Sequence, residues 1–117
     1  MQIISPDKII RGKNAWKKSL HEIVKISKSP LLLGRSIKTR SLRSVIENDL
    51  SQLNLNVYNS ELEFDCCEED LKRIYNIAIE QKCDSIITAG GGKVLDAGKL
   101  LAEYLSVPCI TVPLSAS

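Results

Sequence analysis

A chain of 117 residues is one ordinary domain, long enough to bury roughly two-thirds of its unfolded surface and fold without staples. Its 44% hydrophobic and 26% charged content excludes disorder and fibres, and no apolar run approaches the roughly 18 residues of a membrane span. The net charge of +2 conceals a split, with 11 Lys and Arg against 2 Asp and Glu in residues 1–46 and 5 against 12 thereafter. Such a split can mark a nucleic-acid surface, but the cations (Lys17, Lys25, Arg35, Lys38, Arg40, Arg43 among them) are scattered with few aromatics for base stacking. Most read as solvated helix faces, and no nucleic-acid partner is expected.

The opening "MQIISPDKII" lacks a basic segment followed by an apolar stretch, so it is not a signal peptide and a cytoplasmic location is expected. "DKIIRG" predicts a short strand ending at Gly12. "AWKKSLHEIVKIS" places Trp16, Leu20, Ile23 and Val24 at helical spacing. "PLLLG" is a continuous apolar run closed by glycine, the pattern of a strand buried on both faces. "TRSLRSVIENDLSQLN" predicts a second helix with Leu42, Val45, Ile46, Leu50 and Leu53 inward, followed by a short strand at "NVY". A third helix starts either at a capping box of Asp65 with Glu68 or at Cys67, and buries Leu71, Ile74, Ile77 and Ala78. "DSIITAG" is a buried strand. The next helix presents Val94, Leu95, Gly98, Leu101, Ala102 and Leu105 on one face, and "VPCITVP" is the last strand. Strands alternating with helices predict an α/β fold, a Rossmann-like three-layer domain around a mostly parallel sheet with right-handed crossovers.

Cys66, Cys67, Cys83 and Cys109 lack metal-ligand or redox-motif spacing, and His21 is the only histidine. Cys83 and Cys109 fit small core positions, and the thiols are expected to stay reduced. No metal site is expected.

Functional interest centres on "TAGGGKVLDAGK", residues 88–99, where three glycines separate a buried strand from a helix. In a parallel sheet, ligands sit beyond the carboxyl ends of the strands. A helix N-terminus there offers unpaired amides and the positive end of the macrodipole to a phosphate, and glycines allow close approach. Lys93 adds positive charge at that mouth, and Asp96 is placed in the first helical turn, where the dipole stabilises a carboxylate. Lys99 and Glu103 read as surface charges. The run is neither Walker A, since Val94 follows Gly92-Lys93 and Ile87 replaces the first glycine, nor G-x-G-x-x-G, since Leu95 takes its last position. A diphosphate cradle and a tight strand-to-helix turn are both consistent with it, although one glycine would suffice for the turn.

"GGGKVLDAGK" followed by "VPCITVPLSAS" resembles the glycerol dehydrogenase branch of the iron-containing alcohol dehydrogenases, "SPDKIIRG" resembles that family's start and "PLLLG" its second strand. The resemblance implies a loop that grips the diphosphate of NAD or NADP. Gly92 and Lys93 would contact the cofactor, Gly90 and Gly91 would shape the loop and Asp96 would orient it. Ser117 would lie near the nicotinamide end. Simpler readings stand beside these: Asp96 as a helix-dipole residue, Ser117 as a chain end.

Two departures bear on specificity. Leu114 stands where the family usually has threonine, which removes a hydroxyl contact. Arg35, followed by Ser36 with Lys38 and Arg40 nearby, stands where the family usually has an aspartate for the adenine-ribose hydroxyls. A guanidinium cannot accept a hydrogen bond but pairs with a 2′-phosphate, so NADP is expected over NAD; the plain alternative is a solvated loop charge. The family's second, helical domain, which supplies an aspartate and two histidines to Zn or Fe, has no counterpart in residues 1–117, and His21 matches none of those ligands.

The reading that follows is a dinucleotide-binding domain, residues 1–117, of a metal-dependent alcohol or polyol dehydrogenase. It is expected to be inactive alone and to self-associate through an apolar wall near Leu114. The rivals are a stand-alone nucleotide-binding or regulatory module and a piece of a glycerol-1-phosphate dehydrogenase or dehydroquinate synthase-like enzyme.

Overall fold

The five residues of the strand Pro30–Gly34 are all buried, as are all six of Ser85–Gly90, which requires cover on both faces of the sheet they share. The computed structural model describes residues 3–4, 7–9, 13–35, 37–63 and 67–114. In chain order the elements are β1 (Ile3–Ile4), β2 (Asp7–Ile9), α1 (Lys13–Ile26), β3 (Pro30–Gly34), a 3₁₀ turn (Ile37–Thr39) and α2 (Arg40–Gln52). There follow β4 (Tyr58–Glu61), α3 (Glu68–Glu80), β5 (Ser85–Gly90), α4 (Gly92–Leu105) and β6 (Cys109–Pro113). The strands form one sheet in the order β1-β2-β6-β5-β3-β4, parallel throughout except for β1 against β2. This is the Rossmann-like α/β architecture expected from the alternation of elements.

Side chains alternate across the sheet, and the two cores follow from that period of two. Leu31 and Leu33 of β3, Ile86 of β5 and Cys109 of β6 pack with Leu71, Ile74 and Ala78 of α3 and Val94, Ala97 and Leu101 of α4. Leu32, Ile87, Ala89, Ile110 and Val112 face the other way, against Trp16 and Ile23 of α1 and Ile46 and Leu50 of α2. The Trp16 indole N–H donates to Asp49 Oδ2 at 2.9 Å, which ties α1 to α2. Cys109 is a core residue and Cys83 is half-buried beside the same cluster, where burial and the neighbouring Asp84 push its thiol pKa up.

Several local expectations shift. On α2 the buried stripe is Arg43, Ile46 and Leu50, while Leu42 and Val45 are 41% and 57% exposed. The i, i+3, i+7 spacing of Arg43 with Ile46 and Leu50 places a guanidinium where an aliphatic stripe was predicted. Val24 of α1 is exposed, and α3 buries Asp70 more fully than Ile77. The strand predicted at "NVY" lies slightly later, at β4, because it pairs with Leu31–Gly34 from Tyr58 onward. Cys67 is the N-cap of α3 and makes no side-chain capping bond; Asp65, like Gly12 and Cys66, lies outside the described residues.

At the amino edge of the sheet, Asp84 gathers the ends of three segments. Its carboxylate accepts from Ser27 Oγ at 2.5 Å and from the backbone N–H groups of Lys28 at 2.8 Å and Ser29 at 3.0 Å. Burial alone would raise its pKa, but these donors outweigh it and hold the carboxyl below its ordinary value.

Candidate functional site

The direction in which successive strands are added to the sheet reverses between β3 and β5, which lie side by side in parallel with Leu33 opposite Thr88. From β3 the chain moves outward to β4, and from β5 it moves the other way to β6. Such a reversal opens a crevice beyond the carboxyl ends of the two strands, where ligands of doubly wound sheets bind. Both sequence-derived candidate segments end here: β3 runs into Arg35 and β5 into the glycine loop.

The three glycines are not equivalent. Gly90 closes β5 with φ of +154°, and a Cβ there would stand 3.2 Å from Val94 Cβ, so the fold itself requires glycine. Gly91 is the N-cap of α4 and Gly92 its first residue; both are exposed, and a Cβ on either would meet nothing within 4 Å. The chain could therefore carry side chains at 91 and 92 without a clash. What their absence provides is open space at the mouth of α4. Among the described residues the N-cap position, Gly91, makes no side-chain capping bond and no acidic residue lies in the first turn, so the amino end of α4 faces the crevice.

A second pair of residues fixes where that helix points. The Thr88 hydroxyl donates to the Val94 carbonyl at 2.7 Å, and Gly98 lacks a Cβ that would come within 2.3 Å of Thr88 Cβ. Together they bring α4 close against β5 and aim its amino end at the crevice. Lys93 is exposed at the second position of α4. Asp96 lies in the second turn rather than the first, because the helix starts at Gly92; it is exposed and stands four residues after Gly92, on the same side of the helix. The chain leaving β6 passes beside the loop, with the Leu114 N–H donating to the Gly90 carbonyl at 3.0 Å. Leu114 itself is half-buried against the α1–α2 core, rather than forming the open wall predicted there. Ser36 and Ser117 lie outside the described residues.

Arg35 is half-buried at the carboxyl end of β3. Beneath it lies a feature that sequence reasoning missed. The Arg43 side chain, 1% exposed, packs on the backbone of Gly34, where an added Cβ would fall within 2.1–2.4 Å of its guanidinium end. Arg43 donates to Thr39 Oγ1 at 2.5 Å and to Glu61 Oε2. Burial pulls its pKa below the ordinary value, with Glu61 opposing and Arg40 reinforcing that pull. Glu61, opposite Gly34 in the ladder, also takes both ends of a fork from Arg40, and its carbonyl accepts from Arg73 at 2.8 Å. The signal was present in the spacing of Arg43 with Ile46 and Leu50; its charge argued for the surface.

Among the described residues no group of three His, Cys, Asp or Glu side chains is placed to hold a metal ion, and His21 is exposed on α1. No helix among them is long and apolar enough to cross a membrane.

Comparison with known proteins adds to this geometry. The family model described as iron-containing alcohol dehydrogenase matches residues 6–117. A glycerol dehydrogenase of Escherichia coli O6:H1 is 28% identical over 115 residues, covering 98% of this chain and 31% of that protein. A glycerol-1-phosphate dehydrogenase of Methanococcus maripaludis (strain C6) is 40% identical over 68 residues, 55% of this chain and 20% of that protein. The crystal structure of glycerol dehydrogenase from Schizosaccharomyces pombe superposes with a TM-score of 0.76 at 24% identity, over 91% of this chain and 27% of that one, a likeness of fold. The chain thus spans about a third of the length of such relatives.

Proposed function

The chain belongs to the iron-containing alcohol dehydrogenase family, and from that premise we propose that residues 1–117 form the dinucleotide-binding domain of a metal-dependent, glycerol-type alcohol or polyol dehydrogenase of the cytoplasm. The observation that carries this reading is the open space at Gly91 and Gly92, two glycines at which a Cβ would meet nothing within 4 Å, at the mouth of α4. Amides of the first turn hold the diphosphate, Lys93 adds charge, Gly90 sets the turn and Asp96 orients the loop from one turn below; Ser117, outside the described residues, is assigned to the nicotinamide end by the family resemblance alone. A bound NAD(P) supplies a hydride acceptor or donor for the alcohol carbon. The described residues do not fit the family's metal, so no step is assigned to them through it; residues 1–117 bind cofactor and turn over no alcohol on their own.

Arg35, with Ser36 beside it, reaches the adenosine ribose from the end of β3. A guanidinium there favours a 2′-phosphate over a free hydroxyl, so NADP binds more tightly than NAD. Calorimetric titration of both dinucleotides tests the whole reading: binding of each is expected, with NADP at least roughly tenfold tighter, and Arg35→Asp should erase or invert that ratio. Absence of heat with either dinucleotide would sink the domain assignment, and equal affinities would sink the NADP preference. A second reading, in which the alcohol is a phosphorylated polyol, draws on the 40% identity to a glycerol-1-phosphate dehydrogenase; it shares the cofactor site and differs in the substrate.

A further inference from the structure

The first turn of α2 carries no acid and two arginines, Arg40 and Arg43, at a helix end whose dipole favours anions. That arrangement costs stability to the helix, and within the chain it is offset from outside, by Glu61 at the end of β4. Arg43 is fixed: buried on Gly34, bonded to Thr39 and Glu61. Glu61 is therefore fixed as well, and it in turn holds Arg40, which donates from Nε at 3.3 Å and from Nη2 at 2.9 and 3.2 Å. These bonds use one edge of the guanidinium. The Nη1 amine makes no bond to a protein group among the described residues, and 56% of the side chain is exposed. The result is a cation whose direction is set by a buried support and whose second edge is available to an anion.

Its place in the sheet says which anion. Glu61 pairs with Gly34 on β3, and β3 lies next to β5, whose end carries the glycine loop. Two strand spacings, about 10 Å, separate that loop from the end of β4. An extended adenosine diphosphate anchored at α4 would cover this span and bring its ribose 2′ position over the ends of β3 and β4.

We propose that Arg40 is a specificity-determining residue that binds the 2′-phosphate of a dinucleotide, and that Glu61, supported by Arg43 and Gly34, is the positioning residue that presents it. This rests on the dinucleotide reading above and adds a second cation to Arg35. Two guanidiniums on one phosphate dianion make a fork that a ribose hydroxyl cannot satisfy.

The test uses 2′,5′-ADP and 5′-ADP, which differ only in that phosphate, titrated into the wild-type chain and into Arg40→Gln, Arg40→Lys and Arg35→Gln. The wild type should prefer 2′,5′-ADP. Arg40→Gln should lose roughly tenfold of that preference through weaker 2′,5′-ADP binding, with thermal unfolding unchanged, and Arg40→Lys should restore part of it. Retention of the full wild-type preference in Arg40→Gln, with its loss in Arg35→Gln, would overturn the role of Arg40 and leave the dinucleotide site standing. A wild type that binds both compounds equally, or neither, would overturn the underlying reading and this proposal with it.

Discussion

Residue by residue, the glycines at the crevice separate two physical needs that look identical in sequence. Gly90 answers to backbone conformation, Gly98 to helix–strand approach, and Gly91 and Gly92 to neither. Gly92→Ala distinguishes a ligand cradle from a structural turn. The added methyl enters open space at a helical position, so the unfolding free energy should hold or rise by up to about 1 kcal/mol. The same methyl stands in the path of a diphosphate, so dinucleotide affinity should fall by roughly tenfold or more, read by calorimetry. A variant that binds as the wild type does would show that the space is incidental. The glycine cluster and Lys93 were legible from residue type alone. Arg43 and Glu61 were not, because their pairing joins residues 18 apart through a strand register that only the folded sheet defines.

Among the elements, the contact of α4 with β5 sets the direction of the candidate site. It depends on Gly98, where a Cβ would fall 2.3 Å from Thr88 Cβ, both on rigid secondary structure. Gly98→Ala should therefore cost roughly 1–3 kcal/mol by overpacking, despite the better helix propensity of alanine, and urea unfolding measures it. An unchanged midpoint would mean that α4 can slide away at no cost. Helical spacing assigned the four helices of the described residues and four inner positions of α4 (Val94, Gly98, Leu101 and Ala102), but it missed the buried Ala97, placed the half-buried Leu95 and Leu105 inward, and overestimated the apolar stripe of α2. Leu42 and Val45 were read as buried because periodicity tolerates a face a few residues wide; the true face is centred on Arg43, Ile46 and Leu50. The capping-box reading of Asp65 lies outside the described residues, while the start of α3 at Cys67 agrees with the other boundary read from the sequence.

For the whole molecule, alternating strands and helices were enough to read the layered fold, and the strand order was needed to see that Arg35 and the glycine loop meet at one crevice. The opposite edge carries a different burden. Asp84 joins the end of α1, the start of β3 and the start of β5 through one carboxylate. Its pKa is lower folded than unfolded, so the unfolded chain binds the extra proton first. The stabilisation is complete above the unfolded value near 4 and disappears as pH falls through the lower, folded value. Chemical unfolding followed from about pH 6 downward should show stability falling steeply below about pH 4, and Asp84→Asn should be less stable at neutral pH with a flatter acid limb. Parallel curves for the two proteins would remove Asp84 from the acid response.

The bond from the Leu114 amide to the Gly90 carbonyl has a practical sequel. Ser117 lies three residue steps beyond Leu114, a reach of roughly 10 Å at full extension, so an affinity tag or fusion partner appended after it begins within that distance of the glycine loop. Purification handles for the titrations belong at the other terminus, and weak binding recorded with a carboxy-terminal tag should be repeated after its cleavage.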